Sequence, residues 1–233
     1  MTAATPPTQS VLAIDVGGTH VKFRTSEADD VRRFNSGPTL TAAQMCSQVA
    51  SQTRDWDVDV VGIGYPGPVL HGMPLHDPRN LGGGWVGFDF AAALSHPVKL
   101  LNDAAMQALG SYAGGTMLFL GLGTGLGSAM IVDGIVEPME LAHLPYRKRT
   151  YEDYVGLRGL ERLGKKKWRK HVEQVIDLLT AALEPDEVVL GGGNATLITP
   201  PPQHVRIGDN ANAFTGGFRL WDDDVNARAR TAA

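Results

Sequence analysis

The feature that most constrains this chain is a local pattern that occurs twice. A short apolar run, a turn of glycine and threonine, and a second run able to pair back on the first appear at residues 15–22 (DVGGTHVK) and again at residues 120–130 (LGLGTGLGSAM). Glycine admits tight turns and close backbone approach, and β-rich runs on either side specify strand–turn–strand. No solenoid-type repeat accompanies the pattern. Two such openings in 233 residues predict two similar α/β lobes facing one another across a cleft. The expected division is a disordered tail at 1–10, an N-terminal α/β lobe at 11–101, a C-terminal α/β lobe at 102–223 and a disordered tail at 224–233.

Between the turns the local signals alternate. Residues 11–16 and 20–25 read as paired strands, 39–56 as a helix capped by Thr39 or Thr41, and 58–64 as a buried strand. Residues 65–85 are rich in Gly, Pro and His and too long for a plain connection, a length that often carries function. A short helix at 88–96, a strand at 97–101, a helix at 104–113 and strands at 116–121 and 126–132 follow, then an Asp133-Gly134 hairpin turn. Residues 140–150 look irregular; 151–163 and 166–183 read as helices, the second with Val172, Val175, Ile176 and Leu179 on one face. A buried strand at 187–190 runs into Gly191-Gly192-Gly193, and after residues 199–202 (TPPP) the pattern fades.

Composition removes whole classes. A net charge of −4 is not the broadly basic footprint of a nucleic-acid binder. A single cysteine, Cys46, excludes an internal disulfide framework and a multi-cysteine zinc site. No apolar run approaches the roughly 18–20 residues that span a bilayer. The opening residues have neither the basic nor the apolar region of a secretory signal, so the expected location is the cytoplasm.

Four constellations carry chemistry. In the first turn, the amides around Gly17, Gly18 and Thr19 can form an anion-binding nest, with Lys22 nearby to neutralise charge. Asp15 at the strand end can hold Mg²⁺ through water. The alternative there is a plain hairpin turn. Gly123, Thr124 and Gly125 repeat the arrangement, without the Gly-Lys-Ser/Thr ending of a Walker loop or the spacing of a dinucleotide site. Asn102-Asp103 opens a helix, where it serves as an ordinary N-cap or supplies a carboxylate base. Phosphoryl transfer asks little more of a base than orienting a hydroxyl and accepting its proton late. Glu140, His143 and Glu152 offer acceptors and a donor suited to adjacent sugar hydroxyls, a metal being the other reading of Glu-x-x-His. The one concentrated basic run, residues 165–170 (KKKWRK), is a solvated helix face or a track for a polyanion.

In this order the motifs resemble the ROK family of sugar kinases and related repressors, within the actin-like sugar kinase superfamily, over residues 11–221. The likeness is to the short branch with polyphosphate and ATP glucokinases. Residues 12–23 look like the family's first phosphate motif, residues 64–67 (GYPG) like its sugar-side loop with Gly67, and residues 121–127 like its second phosphate motif. Asn102 and Asp103 match the sugar-binding Asn and catalytic Asp; Asn80 falls in the loop over the sugar; Gly192, Gly193 and Asn194 look like the nucleotide-side loop.

The resemblance implies a two-lobed actin-like (ribonuclease H-like) fold and a homodimer. It also implies Mg²⁺-dependent transfer from ATP or polyphosphate to the C6 hydroxyl of glucose or a related hexose. Glu140, His143 and Glu152 would bind the sugar beside Asn80, Gly67 and Asn102. Two departures stand out: residues 144–151 (LPYRKRTY) lack the cysteines of the family's zinc motif, so no structural zinc is expected, and Ala142 replaces the usual Gly. A sugar sensor without catalysis is the alternative from another class, against which stand Asp103 and the lack of a helix-turn-helix before Val11. An actin-like ATPase with no sugar substrate is a third.

Overall fold

The computed structural model describes residues 9–222, which divide between Leu101 and Asn102 into two compact units. The expected tail at 224–233 lies outside the described residues, as does most of that at 1–10. Ser10 is described, and it corrects the expectation of disorder there. It is 7% exposed, its amide donates to Asp59 at 2.8 Å, and its hydroxyl donates to the Asp57 carbonyl at 2.8 Å.

The first unit is built on β1 (Val11–Val16) and β2 (His20–Thr25), joined by the first glycine turn, then β3 (Arg32–Asn35), α1 (Ala42–Gln52) and β4 (Val60–Tyr65). A small hairpin of β5 (Val69–Leu70) and β6 (Met73–Pro74), the short α2 (Phe90–Leu94) and β7 (Val98–Asn102) complete it. The sheet order is β3-β2-β1-β4-β7, with β1 antiparallel to β2 and parallel to β4. Of the two candidate caps Thr41 is the one used. Its hydroxyl accepts from the Gln44 amide and the Gln44 side chain accepts from the Thr41 amide, a reciprocal capping box. The core gathers Ile14, Val21, Phe23, Met45, Ile63, Tyr65 and Trp85, all fully buried.

The second unit runs α3 (Asp103–Ser111), β8 (Thr116–Leu122), β9 (Leu126–Val132) and β10 (Ile135–Met139). A hairpin of β11 (Pro145–Tyr146) and β12 (Arg149–Thr150) follows, then α4 (Tyr151–Val155), α5 (Leu157–Leu163) and α6 (Lys165–Leu183). It closes with β13 (Glu187–Gly191), β14 (Val205–Ile207) and α7 (Asn212–Arg219). Its sheet order, β10-β9-β8-β13-β14, repeats the first: an antiparallel meander of three strands with parallel strands added beyond.

Three local expectations are corrected here. Residues 140–150 are not wholly irregular, since β11 and β12 pair Pro145 with Thr150. The single helix over 151–163 is broken at Gly156, where a Cβ would press on the Thr124 and Glu152 carbonyls at 2.9 Å. The pattern that fades after residue 202 hides both β14 and α7. Two glycines sit inside α7, each costing helix propensity, yet α7 crosses α3 at glycines from both helices. A Cβ on Gly110 would overlap the Asn212 carbonyl, and one on Gly216 would overlap the Met106 carbonyl. Close approach, invisible to periodicity, is what those glycines serve.

Candidate active site

In the first unit the turn spends its leading amide on itself, as the Gly17 N–H donates to the His20 carbonyl at 3.0 Å. Ser36, which the sequence reading missed, closes the turn from β3: its hydroxyl donates to the Gly17 carbonyl at 2.7 Å and its amide to the Thr19 carbonyl at 3.0 Å. Gly18 and Thr19 are left exposed. Asp15 lies opposite Lys22 across β1 and β2. Burial pushes the Asp15 carboxyl above the usual range, against the lowering pull of Lys22. A carboxylate penalised by burial is stabilised by a nearby cation, so Asp15 fits a water-bridged Mg²⁺.

Asn80 comes to the same turn, because a Cβ on Gly18 would meet the Asn80 Cβ at 3.5 Å. The loop that carries it is anchored by residues without an obvious sequence signal. Asp77 accepts from the amides of Trp85 at 2.8 Å and Gly84 at 3.3 Å, and these bonds hold its carboxyl below the usual range. Trp85 is fully buried, and its indole N–H donates to the Gly82 carbonyl at 2.8 Å. Gly67 packs on the Tyr65 ring at the base of the loop, and the Tyr65 hydroxyl donates to the His76 carbonyl at 2.6 Å.

In the second unit the turn is built the same way, the Gly123 amide donating inward to the Gly121 and Gly125 carbonyls at 3.2 Å each. The turn is bolted on two sides. The Leu157 amide at the start of α5 donates to Gly123 and Thr124, and Asn194 donates its amide to Leu122 at 2.9 Å and its side-chain amide to Gly123 at 3.3 Å. Gly192 has φ near +80° and packs on Leu122 so closely that a Cβ there would meet backbone at 2.6 Å. Gly193, beside it, faces open space.

Asn102 caps α3, its side-chain oxygen accepting from the Ala105 amide at 3.1 Å. Asp103 is in the first turn of that helix, a position suited to negative charge, and one of its oxygens accepts from the Ala104 amide at 2.7 Å. The start of α3 presses on β9 at Gly127, where a Cβ would lie 2.7 Å from that of Ala104. Glu152, in the first turn of α4, lays its carboxylate against Gly125: a Cβ there would overlap Oε2. Glu140 and His143 approach each other at 3.9 Å, both more than half exposed.

Their segment is tied down by Ser128, whose hydroxyl donates to the Met139 carbonyl at 2.9 Å and accepts from the Leu141 amide at 3.2 Å. The Ala142 carbonyl accepts from the Glu152 amide at 3.0 Å, and its methyl is 2% exposed within the unit's apolar cluster. The extra carbon relative to glycine is therefore packed into the core. The hairpin that follows is clamped to α6, with the Tyr146 hydroxyl bonded to His171 Nδ1 at 3.1 Å and to Gln174 at 2.8 Å.

No family model matches the chain. Among curated proteins it is similar to the polyphosphate glucokinase of Mycobacterium tuberculosis (strain CDC 1551 / Oshkosh). The two are 27% identical over 202 residues, 77% of this chain and 76% of that protein. Among solved structures it is similar to the inorganic polyphosphate/ATP-glucomannokinase of Arthrobacter sp. strain KM. The TM-score is 0.79 at 23% identity, covering 94% of this chain and 99% of that one. A ROK family glucokinase from Streptomyces griseus, solved with glucose and AMPPNP, has a TM-score of 0.69 at 16% identity over 91% of this chain and 98% of that one. A ROK family transcriptional regulator, described as a homolog of the E. coli MLC protein, reaches 0.69 at 14% identity over 94% and 79%. The chain shares the fold of these solved proteins. Its sequence likeness is to polyphosphate glucokinases.

Proposed function

We propose that the chain is a hexose kinase that moves a terminal phosphoryl group from ATP or polyphosphate to the C6 hydroxyl of glucose or a related hexose. The observation that carries this reading lies within the second unit. The Glu152 carboxylate rests on Gly125, and the first turn of α3 with Asp103 rests on Gly127 of the same hairpin. On this reading hydroxyl-binding and phosphate-binding chemistry share that hairpin.

On this reading Glu152, Glu140, His143, Asn102 and Asn80, with the Gly67 loop, bind the sugar. Glu152 and Glu140 accept from its hydroxyls, while Asn80 and Asn102 have amides to donate. Backbone N–H groups at Gly18, Thr19, Thr124 and Gly125 donate to phosphate oxygens. Gly192, Gly193 and Asn194 shape the donor side, and Lys22 adds positive charge. Asp103 orients the attacking hydroxyl. As the hexose oxygen bonds to phosphorus and the bond to the leaving phosphate breaks, the hydroxyl proton passes to the Asp103 carboxylate. Asp15 would hold Mg²⁺ through water; bound, the ion supplies charge neutralisation on the donor's phosphate oxygens.

The test is a hexose-6-phosphate assay with a hexose panel, ATP and polyphosphate supplied separately, and Asp103→Asn as control. Turnover should fall by about 10²–10⁴-fold in that variant, with sugar binding by calorimetry changed only severalfold. Near-normal turnover would remove Asp103 from its role. Sugar binding without product from either donor would favour a sensor, the reading that the regulator among the structural relatives keeps in view.

A further inference from the structure

Charge is segregated along this chain. Residues 147–170 hold ten of its 21 Lys and Arg but only three of its 25 Asp and Glu, so the remainder is strongly acidic. The fold gathers these cations from separate elements of the second unit. On α6 the buried stripe is Trp168, Val172, Val175, Ile176 and Leu179, which turns Lys167, Lys170, His171 and Gln174 to one flank. The β11–β12 hairpin is clamped to that flank through Tyr146, which bonds to His171 and Gln174, so its exposed tip of Arg147, Lys148 and Arg149 joins the flank that carries Lys167 and Lys170.

Arg162 joins from α5. Its guanidinium is 5.1 Å from the Tyr154 ring and donates to the Asp153 carbonyl at 2.6 Å, while Arg147 is 5.5 Å from the Tyr146 ring and donates to Gln174 at 2.8 Å. Tyr146 and Tyr154 meet edge to face at 5.1 Å, so the two guanidiniums flank one aromatic platform.

Among the described residues none of these six cations makes an ion pair, whereas Arg169, on another flank of α6, is bound to Glu173 and to the Thr199 and Pro200 carbonyls. Arg169 is thereby structural, and the basic run of residues 165–170 divides into an anchor and a free face. Arg147 and Arg162 also help hold the His171 imidazole below its ordinary pKa, after burial, which registers the positive field.

We propose that this face, made by Arg147, Lys148, Arg149, Arg162, Lys167 and Lys170, is a docking surface for a long linear polyanion without bases, inorganic polyphosphate. It would hold the chain at residues other than those of the glycine turns. The absence of bases is argued from the aromatics. Tyr146 is buried, Tyr154 is covered by Arg162, and no aromatic is among the exposed large apolar side chains of the described residues. A single-stranded nucleic acid gains much of its affinity by stacking bases on such rings; here only charge is offered. The acidic remainder of the molecule repels a polyanion elsewhere and so favours this face. The proposal rests on the kinase reading for the identity of the donor, but binding is measurable without turnover.

The experiment titrates polyphosphate of about 50 residues into the full chain and into a Lys148→Gln, Arg149→Gln, Lys167→Gln, Lys170→Gln variant, by calorimetry at several salt concentrations. The variant should bind at least about tenfold more weakly near 0.1 M salt, with a salt slope lower by roughly 0.7 per cation removed that contacts the polyanion. Polyphosphate should raise the pKa of His171 in an NMR titration of the unmodified chain and not in the variant. ATP-driven turnover should stay within about twofold, since none of the four substituted residues is among those assigned to the phosphates or the sugar. Unchanged polyphosphate affinity in the variant overturns the proposal, as does equal or tighter binding of single-stranded DNA of matched charge or of anionic vesicles. Wild-type binding with the predicted salt slope but no hexose phosphate from either donor would sink the kinase reading and leave the surface standing. ATP-driven turnover with no polyphosphate binding would do the reverse.

Discussion

The two glycine turns of this molecule begin alike and end in different company. Each spends its first glycine amide inside the turn, Gly17 on His20 and Gly123 on Gly121 and Gly125. Each sits between antiparallel strands at the centre of a sheet of the same order. The first turn is closed by a serine and faced by a neutral amide, Asn80, with a carboxylate and a lysine paired on the strands behind it. The second is bolted by α5 and by Asn194, and faced by a carboxylate, Glu152. One backbone device has been given two electrostatic characters by what packs on it. On the proposed kinase reading the first would serve phosphates and a cation, and the second would add hydroxyl recognition.

Substitutions can break or sharpen this contrast. The largest effect is expected at the glycine crossing of α3 and α7 in the second unit. Gly216→Leu would drive a side chain into the Met106 carbonyl, and with such overpacking the unit should fail to reach its native fold, seen as loss of cooperative unfolding by circular dichroism.

Next comes a paired test of the turns themselves. Gly125→Ala must displace the Glu152 carboxylate, whereas Gly18→Ala meets only the Asn80 side chain at 3.5 Å. The former should lower kcat/KM for the hexose by about 10–100-fold and the latter by no more than about threefold. Equal effects would mean that Glu152 does not contribute to sugar recognition.

A smaller effect tests the first unit alone. Thr41→Ala removes the capping box of α1 and should cost about 1 kcal/mol in denaturant unfolding, with kcat/KM unchanged.

The smallest is a pH effect on the second unit. His171 is held below its ordinary value of 6.5 by burial, then by Arg147 and Arg162, so the unfolded chain takes up its proton first. The contribution is favourable above about pH 6.5 and declines as pH falls below that value, until the folded-state pKa is passed. His171→Gln should flatten that part of the stability–pH curve and leave the alkaline side untouched.

Much of the architecture was legible because its signals are local. Alternation and glycine punctuation marked the strands at both turns, hydroxyl and amide side chains before helices marked Thr39 or Thr41 and Asn102, and one face of α6 showed a helical period. Asp15, the glycine turns and Asn102-Asp103 were legible as candidates in short motifs at strand ends, whereas Asn80, Gly67 and Asn194 were candidates through the family resemblance. Their neighbours were not. Nothing within reach of Ser36 in the chain names Gly17 as its partner, and nothing near Gly156 says that the helix must stop there to admit the Thr124 carbonyl.

What the sequence determined by itself is the alternation of elements, the two turns and the kinds of chemistry their residues offer, because these depend on backbone conformation within a few residues. Tertiary structure alone decided that Glu152 rests on Gly125, that the Ala142 methyl enters the core, that α7 forms despite its glycines, and that scattered cations gather on one face. Each depends on contact between segments far apart in the chain, where close packing and charge override what either segment prefers alone.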